Sequence, residues 1–163
     1  MIKIYNIVVN FINYLALKDR GTMDVSYYMT NDHKETNELI EKLISQANQS
    51  SNAILSSIDS RLRKHIFIEE TILFPKLPPE MVDDVKYLEK EHGEVFRLLG
   101  SITNCKNEKQ LQQLAQQLLD LLREHNSYEE SFIYDYYQNE EVGPLIEFAD
   151  PPKLWQCKIP VDR

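Results

Sequence analysis

The sequence is poor in the residues that mark turn-rich and disulfide-linked folds. It has four glycines and two cysteines among 163 residues, which argues against a glycine-rich β-sandwich and against a disulfide scaffold. Cys105 and Cys157 stand apart and form no CxxC pair, as in a reduced, cytoplasmic chain. Positive charge is also scarce. The net charge of −8 argues against a nucleic-acid partner, because phosphate binding needs a basic face.

The sequence also lacks a long apolar run. Residues 4–17 are mostly apolar, but this stretch is shorter than the roughly 20 residues of a membrane span and is interrupted by asparagines, so we expect no membrane partner. A signal peptide is disfavoured because no small-residue cleavage site follows. Residues 1–22 are expected to form an N-terminal extension, which is either an amphipathic helix or an upstream leader before a natural start at Met23.

Helix-forming residues dominate the rest of the chain. Apolar residues recur at helical spacing and predict helices over residues 26–47, 53–74, 80–102 and 108–137. Short connections between the helices favour up-down-up-down neighbours. We therefore predict an all-α four-helix bundle over residues 23–140, followed by an irregular C-terminal tail over residues 141–163.

Chemistry-bearing residues lie on the apolar faces of these helices. All four histidines are there, one on each helix: His33, His65, His92 and His125. Glu69 follows the second histidine by four residues and Glu129 follows the fourth by four, so each pair shares a helix face. A buried carboxylate is unfavourable by several kcal/mol unless it is paired or binds a metal. A purely structural core would avoid this arrangement.

The six side chains are predicted to meet in one half of the bundle, because the helix rise places the histidines at similar levels. Imidazoles and carboxylates without thiolates suit iron, manganese or zinc, and six groups exceed what one zinc ion takes. Two metals bridged by both glutamates and one oxygen atom would each keep an open octahedral position. Such an open, redox-active pair among apolar residues suits O₂, NO or peroxide. The apolar neighbours are expected to exclude water but to supply no hydrogen-bond donor that would stabilise a bound hydroperoxide.

Short motifs surround these side chains: Asn-Asp-His at 31–33, His-Ile-Phe-Ile-Glu-Glu at 65–70, Leu-Phe-Pro at 73–75, Glu-His at 91–92, and His-Asn-Ser-Tyr-Glu-Glu at 125–130. Over residues 26–138 the sequence resembles the hemerythrin-like family, also called HHE cation-binding domains. The resemblance implies a four-helix bundle that holds two iron ions in an oxo- or hydroxo-bridged non-haem centre. It also implies terminal histidine ligands and bridging by Glu69 and Glu129.

The sequence departs from the oxygen-carrying members of this family, which have a fifth histidine. Leu88 and Phe96 stand four residues before and after His92, and neither can bind a metal. Oxygen carriers also use an acid five residues after the last histidine, here Glu130. Glu129 lies nearer the face of the last histidine, about 40° from it against about 140°, and is the predicted ligand.

Further roles are open for three nearby residues. Tyr128 or Glu89 could supply an additional ligand, and Tyr136 could relay electrons if it is more than a core tyrosine. Glu70 and Glu130 point about 100° away from the predicted ligands around their helices and are expected to matter little.

The resemblance implies a di-iron protein that binds or reacts with O₂, NO or peroxide, as a sensor or an iron-handling, stress-response protein. One alternative is a peroxide or NO reductase, which would need a redox partner protein. A further alternative is a metal-free helical interaction module. A ferritin-like di-iron bundle is disfavoured, because its Glu-x-x-His signature places the acid before the histidine, whereas Glu69 and Glu129 follow theirs.

Overall fold

A computed structural model describes residues 24–46, 51–137, 142–147 and 149–159. This part of the chain contains helices and no strand. The helices are α1 (Val25–Ser45), α2 (Ser51–Ile68), α3 (Val82–Asn104), α4 (Glu108–Tyr128) and the short α5 (Gly143–Glu147). The predicted all-α fold with four long helices is confirmed. The two interpretations of residues 1–22 concern residues outside the described ranges.

Capping residues and prolines explain where the helices begin. Before α1, the Asp24 side chain accepts a hydrogen bond from the Tyr27 N–H over 3.2 Å. Before α4, the Asn107 side chain accepts one from the Gln110 N–H over 2.9 Å. Such caps satisfy backbone donors that have no partner within the helix. Pro79 opens the 3₁₀ turn that leads into α3, a position where the missing N–H of proline does no harm.

The four long helices pack as an up-down-up-down bundle. α1 lies against α2 and α4, while α3 lies against α4 and, less extensively, against α2. Two apolar clusters fill the interior, one on each side of a buried polar layer. The first cluster includes Ile40, Ile58, Val95 and Leu118, and the second includes Met29, Leu73, Leu88 and Ile133. Each fully buried aliphatic side chain contributes about 1.5–3 kcal/mol, so the two clusters hold the polar layer between them.

α2 and α4 both continue into a π-helical turn that begins at a predicted bridging glutamate. These turns span Glu69–Leu73 and Glu129–Ile133. A 3₁₀ turn follows each of them, over Phe74–Lys76 and Tyr134–Tyr137. A π turn bonds residue i to residue i+5 and takes more residues per turn than an α-helix, so it changes which of the following residues face the core.

The interpretation of Tyr136 as a core tyrosine is wrong, and Phe132, four residues before it, also faces outward. Phe132 is 57% exposed and Tyr136 is 49% exposed. The buried positions are instead Ile133 and Tyr137, one residue later in each case. A strict 3.6-residue repeat does not hold across this segment, because the π turn adds an extra residue. Apolar residues on both faces of this segment concealed the change of period.

The C-terminal part of the described chain is mostly irregular, as predicted, but it begins with α5. Residues 149–159 then return to the bundle, where Trp155 contacts Phe67 of α2 and Phe96 of α3. Among the described helices, none combines the length and the apolar character that a membrane span requires.

Candidate metal centre

The buried polar layer consists of the six side chains predicted as metal ligands, and the structure brings all six together. They come from all four long helices and from the first residues of the two π turns. Each is at most 6% exposed: His33, His65, Glu69, His92, His125 and Glu129. Only the packing of the helices can bring these side chains together, because they lie up to almost a hundred residues apart in the sequence.

The six side chains form two groups that could each hold a metal ion. The first pocket combines His33 and His65 with both glutamates, and the second pocket combines His92 and His125 with the same two glutamates. Within each group the ligand atoms lie within 4.8 Å of one another. Both carboxylates therefore belong to both pockets, which is the arrangement expected of bridging ligands.

Each carboxylate presents one oxygen to each pocket. Oε1 of Glu69 lies 3.1 Å from His65 Nε2, and its Oε2 lies 3.3 Å from His92 Nε2. Oε2 of Glu129 lies 3.5 Å from His33 Nε2, and its Oε1 lies 3.3 Å from His125 Nε2. All four imidazoles thus direct Nε2 toward the shared carboxylates.

The other ring nitrogen of every histidine contacts a second carboxylate. The Nδ1 distances are 2.8 Å from His33 to Glu130, 2.9 Å from His65 to Asp32, 2.9 Å from His92 to Glu70, and 2.9 Å from His125 to Glu91. Such partners fix the imidazole orientation and make Nδ1 the protonated nitrogen, which leaves the lone pair of Nε2 for a metal.

Glu70 and Glu130, which were expected to matter little, are two of these second carboxylates. Both do point away from the ligand atoms, but each reaches a histidine on another helix. The four supporting acids are also direct sequence neighbours of ligands, as in Asp32-His33 and Glu91-His92. This adjacency was visible in the sequence, whereas the histidine that each acid supports depends on how the helices pack.

Unpartnered polar atoms test whether a metal fits these residues. Three of the four buried side-chain atoms without a hydrogen-bond partner in the described chain are Glu69 Oε2, His92 Nε2 and Glu129 Oε1. All three belong to the second pocket. Leaving such atoms unsatisfied is unfavourable by about 1–3 kcal/mol each, and coordination of a cation would satisfy all three. In the first pocket the Nε2 atoms of His33 and His65 lie 2.9 Å apart, and a shared cation is a natural partner for both lone pairs.

Comparison with known families agrees with this geometry. The model described as Hemerythrin HHE cation binding domain matches residues 17–137, a range that contains all six side chains. The chain belongs to the hemerythrin HHE family. No curated protein and no solved structure matches it. HHE domains bind metal cations, typically iron, and the buried His/Glu cluster of this HHE domain fits a metal site.

Tyr134 is a member of the HHE cluster that the sequence pattern missed. Its hydroxyl lies 2.7 Å from Glu69 Oε1, 3.1 Å from Glu129 Oε2 and 3.2 Å from His33 Nε2. All three atoms belong to the first pocket, so this phenol makes the two pockets inequivalent. The π turn of Glu129–Ile133 brings it inward, and a period that includes this turn would have predicted it.

The side chains named in the sequence for an additional role lie elsewhere. The Tyr128 hydroxyl donates to Asp84, and Glu89 pairs with Lys158 over 2.8 Å. Tyr136 is half-exposed, with its hydroxyl near Met81. None of these three hydrogen bonds involves a candidate ligand, whereas the Tyr134 hydroxyl contacts three candidate ligand atoms.

Burial and charge together set the protonation of the cluster. Burial by itself would lower the pKa of His125, but the Glu129 carboxylate raises it to about 10. Burial likewise opposes protonation of His65, yet Glu69 raises its pKa well above the usual range. Burial raises the pKa of Tyr134 well above its usual range, and the carboxylates of Glu129 and Glu69 add to the effect. Tyr134 is therefore a neutral phenol that donates its proton in a hydrogen bond.

A small cavity contacts all four imidazoles on the side of the first apolar cluster. Its other lining residues are Thr36, Leu62, Ile66, Val95, Leu122 and Asn126. Thr36 and Asn126 are buried and carry hydrogen-bonding groups. The expectation that only apolar groups without donors surround the centre is therefore wrong. Their polarity did not mark them in the sequence, because their neighbours along each helix are polar as well.

The stability of the metal-free protein is expected to fall as pH rises above about 6.5, the ordinary histidine pKa. A histidine whose pKa is raised by folding stabilises the folded state fully below its unfolded pKa, and this contribution disappears as pH approaches the folded value, about 10 for His125. Calorimetry of chelator-treated protein should show the melting temperature falling by several degrees across this window, at about 2–4 °C per kcal/mol for a chain of this size.

Metal-loaded protein is the control for this measurement. Bound metal replaces the imidazole protons, so the loaded sample should not show the fall. A melting temperature of the metal-free protein that stays flat or rises between these pH values would contradict the assignment of charged imidazoles.

Proposed function

We propose that this HHE protein holds two iron ions and binds or reacts with O₂, NO or peroxide, as a sensor or an iron-handling, stress-response protein. The observation that carries the proposal is the sharing of Glu69 and Glu129 between two histidine pairs, with one oxygen of each carboxylate facing each pocket. His33 and His65 would be terminal ligands in the first pocket, and His92 and His125 in the second.

Iron is the metal favoured by the donor set and by the family. Imidazole and carboxylate donors with no thiolate suit iron, manganese or zinc, and HHE domains typically bind iron. Cys105 and Cys157 are both unpaired, in keeping with a reducing cytoplasmic location. A bound iron pair would supply one-electron chemistry and open positions for a small ligand.

The protein side chains would control how a ligand reaches the centre. Leu62, Ile66 and Leu122 line the cavity with apolar surface, which excludes bulk water and favours a small uncharged molecule. Thr36 and Asn126 can hydrogen-bond a ligand there. On the opposite side the Tyr134 hydroxyl, held by Glu69 and Glu129, can donate a proton toward the first pocket.

A di-iron peroxide or NO reductase is the second candidate function, and Tyr134 is the observation that favours it. A buried phenol within 3.2 Å of three candidate ligand atoms is placed to deliver a proton during reduction. Turnover would also require electrons from a redox partner protein. A metal-free interaction module accounts poorly for two fully buried carboxylates that share four histidines.

Iron content tests the proposal directly. Protein purified under anaerobic conditions and loaded with iron should contain about two irons per chain, with the near-ultraviolet and visible absorption of an oxygen-bridged ferric pair after oxidation. Metal analysis and absorption spectra give the answer. A single zinc ion in a four-coordinate site, without iron uptake, would refute the di-iron assignment.

Substitution of the shared carboxylates should remove metal. Glu69→Gln and Glu129→Gln are each expected to lose at least one of the two irons, because a neutral amide bridges two cations poorly. Glu70→Gln and Glu130→Gln should keep both irons at saturation but with about 10–100-fold weaker affinity, as expected for partners of ligating histidines. Titration with ferrous iron measures both effects.

Glu124→Gln is the matched control, because Glu124 is exposed on α4 one residue before His125. It should leave iron binding unchanged. Loss of iron in Glu130→Gln but not in Glu129→Gln would show that the acid four residues after His125 is not the bridging ligand.

The reduced protein is not expected to carry O₂ reversibly. The chain has four histidines in total, all of them used in the two pockets, so neither iron can be saturated in the way that a fifth histidine permits. Exposure of the ferrous protein to O₂ should oxidise it, and lowering the O₂ pressure should not restore the ferrous spectrum. Recovery of that spectrum over several cycles without a reductant would overturn this expectation.

A further inference from the structure

We propose that the C-terminal segment, residues 149–159, is a strap that positions the second pocket, and that the main-chain N–H of Lys158 is the group through which it acts. This inference rests on the proposed metal centre. It assigns to the segment control over one pocket of the pair, through a supporting carboxylate and not through a ligand.

A chain of hydrogen bonds connects the segment to the centre. The Lys158 N–H donates to Glu70 Oε2 over 2.9 Å. The other oxygen of Glu70 lies 2.9 Å from His92 Nδ1, and Nε2 of His92 faces Glu69 in the second pocket. Glu70 is 1% exposed, so its two oxygens are held by an imidazole on one side and by the segment on the other.

Side-chain contacts dock the segment over the junction of α2 and α3. The Trp155 ring meets Phe67 of α2 edge-on at 5.5 Å between centroids, and Phe96 of α3 at 6.3 Å. The Lys158 ammonium pairs with Glu89 of α3 over 2.8 Å. α2 and α3 are the neighbouring helices that pack least extensively, so Trp155 fills space that direct helix packing leaves open.

The two acids that support the first pocket are held differently. Asp32, which supports His65, is paired with the Arg61 side chain over 2.5 Å. Glu130, which supports His33, has a side chain that is 37% exposed and can be hydrated. Both acids serve the first pocket. The support of that pocket therefore comes from the bundle and the solvent, whereas Glu70 in the second pocket depends on the segment.

Loss of the Lys158 N–H would leave a buried carboxylate oxygen without its donor. The carboxyl group of Glu70 could then rotate or recruit water, and His92 would lose a fixed partner for Nδ1. The lone pair of Nε2 would point less consistently into the second pocket. The first pocket would keep its own supports, so the effect should be confined to one of the two metals.

Two substitutions at one position separate the main-chain contact from the side-chain contact. Lys158→Pro removes the N–H, because proline has none. Lys158→Ala keeps the N–H and removes only the ammonium that pairs with Glu89. We expect Lys158→Pro to weaken the binding of one of the two irons about 10–100-fold, and Lys158→Ala to bind both irons as the unmodified protein does.

Iron titration and Mössbauer spectra of the loaded proteins supply the measurements. In Lys158→Pro one of the two iron signals should change while the other keeps its parameters. Trp155→Ala, which undocks the segment without altering position 158, should produce the same one-sided change, and Trp155→Phe should largely restore the original spectrum.

Each of the following results would overturn the proposal that residues 149–159 position the second pocket. Unchanged affinities and spectra in both Lys158→Pro and Trp155→Ala would show that the segment does not act on the centre, and the proposed di-iron function would still stand. Equal weakening of both irons would indicate general destabilisation. An equal loss in Lys158→Ala would place the effect in the ammonium group. Absence of an iron pair in the unmodified protein would instead refute the proposed function itself.

Discussion

The rest of the structure depends on the burial of two carboxylates at the centre of a helical bundle. Glu69 and Glu129 have no exposed surface. In each pocket, an oxygen of each carboxylate lies within 4.8 Å of the other carboxylate and of two histidine nitrogens. Burial raises the free energy of a charged carboxylate by several kcal/mol. The Glu69 carboxylate nonetheless keeps a pKa well below its usual range, since the charge of His65 outweighs its burial. Positive partners must therefore surround the pair.

The four imidazoles are these positive partners, and a second carboxylate at Nδ1 fixes the orientation of each ring. Every Nδ1 contacts a carboxylate that belongs to a different helix or helix extension. The resulting network alternates acid, imidazole and shared acid across all four helices. Displacement of one helix would therefore move both a histidine or glutamate of the cluster and the acid that supports a histidine on another helix. Because the apolar clusters on either side hold the helices in place, their packing fixes the geometry of the polar layer.

Two departures from regular structure adapt the bundle to this network. The π turns begin at Glu69 and Glu129, and the turn after Glu129 brings the Tyr134 hydroxyl against the first pocket. On the other side of the centre, the segment at residues 149–159 brings a main-chain donor to Glu70. The two pockets share both carboxylates and differ in these additional groups, so the two pockets are not equivalent.

The sequence by itself determined the four long helices and the six side chains of the centre. Helical periodicity indicates which face of a helix is buried. A spacing of four residues between His and Glu indicates that both metal-binding side chains share that face. It did not reveal the roles of Glu70, Glu130 and Tyr134. The acids act across helices, and a local pattern cannot say which histidine an acid meets. Tyr134 turns inward through a π turn that shifts the period by one residue. Tertiary structure decided these contacts, because they depend on the relative position of chain segments that are far apart in sequence.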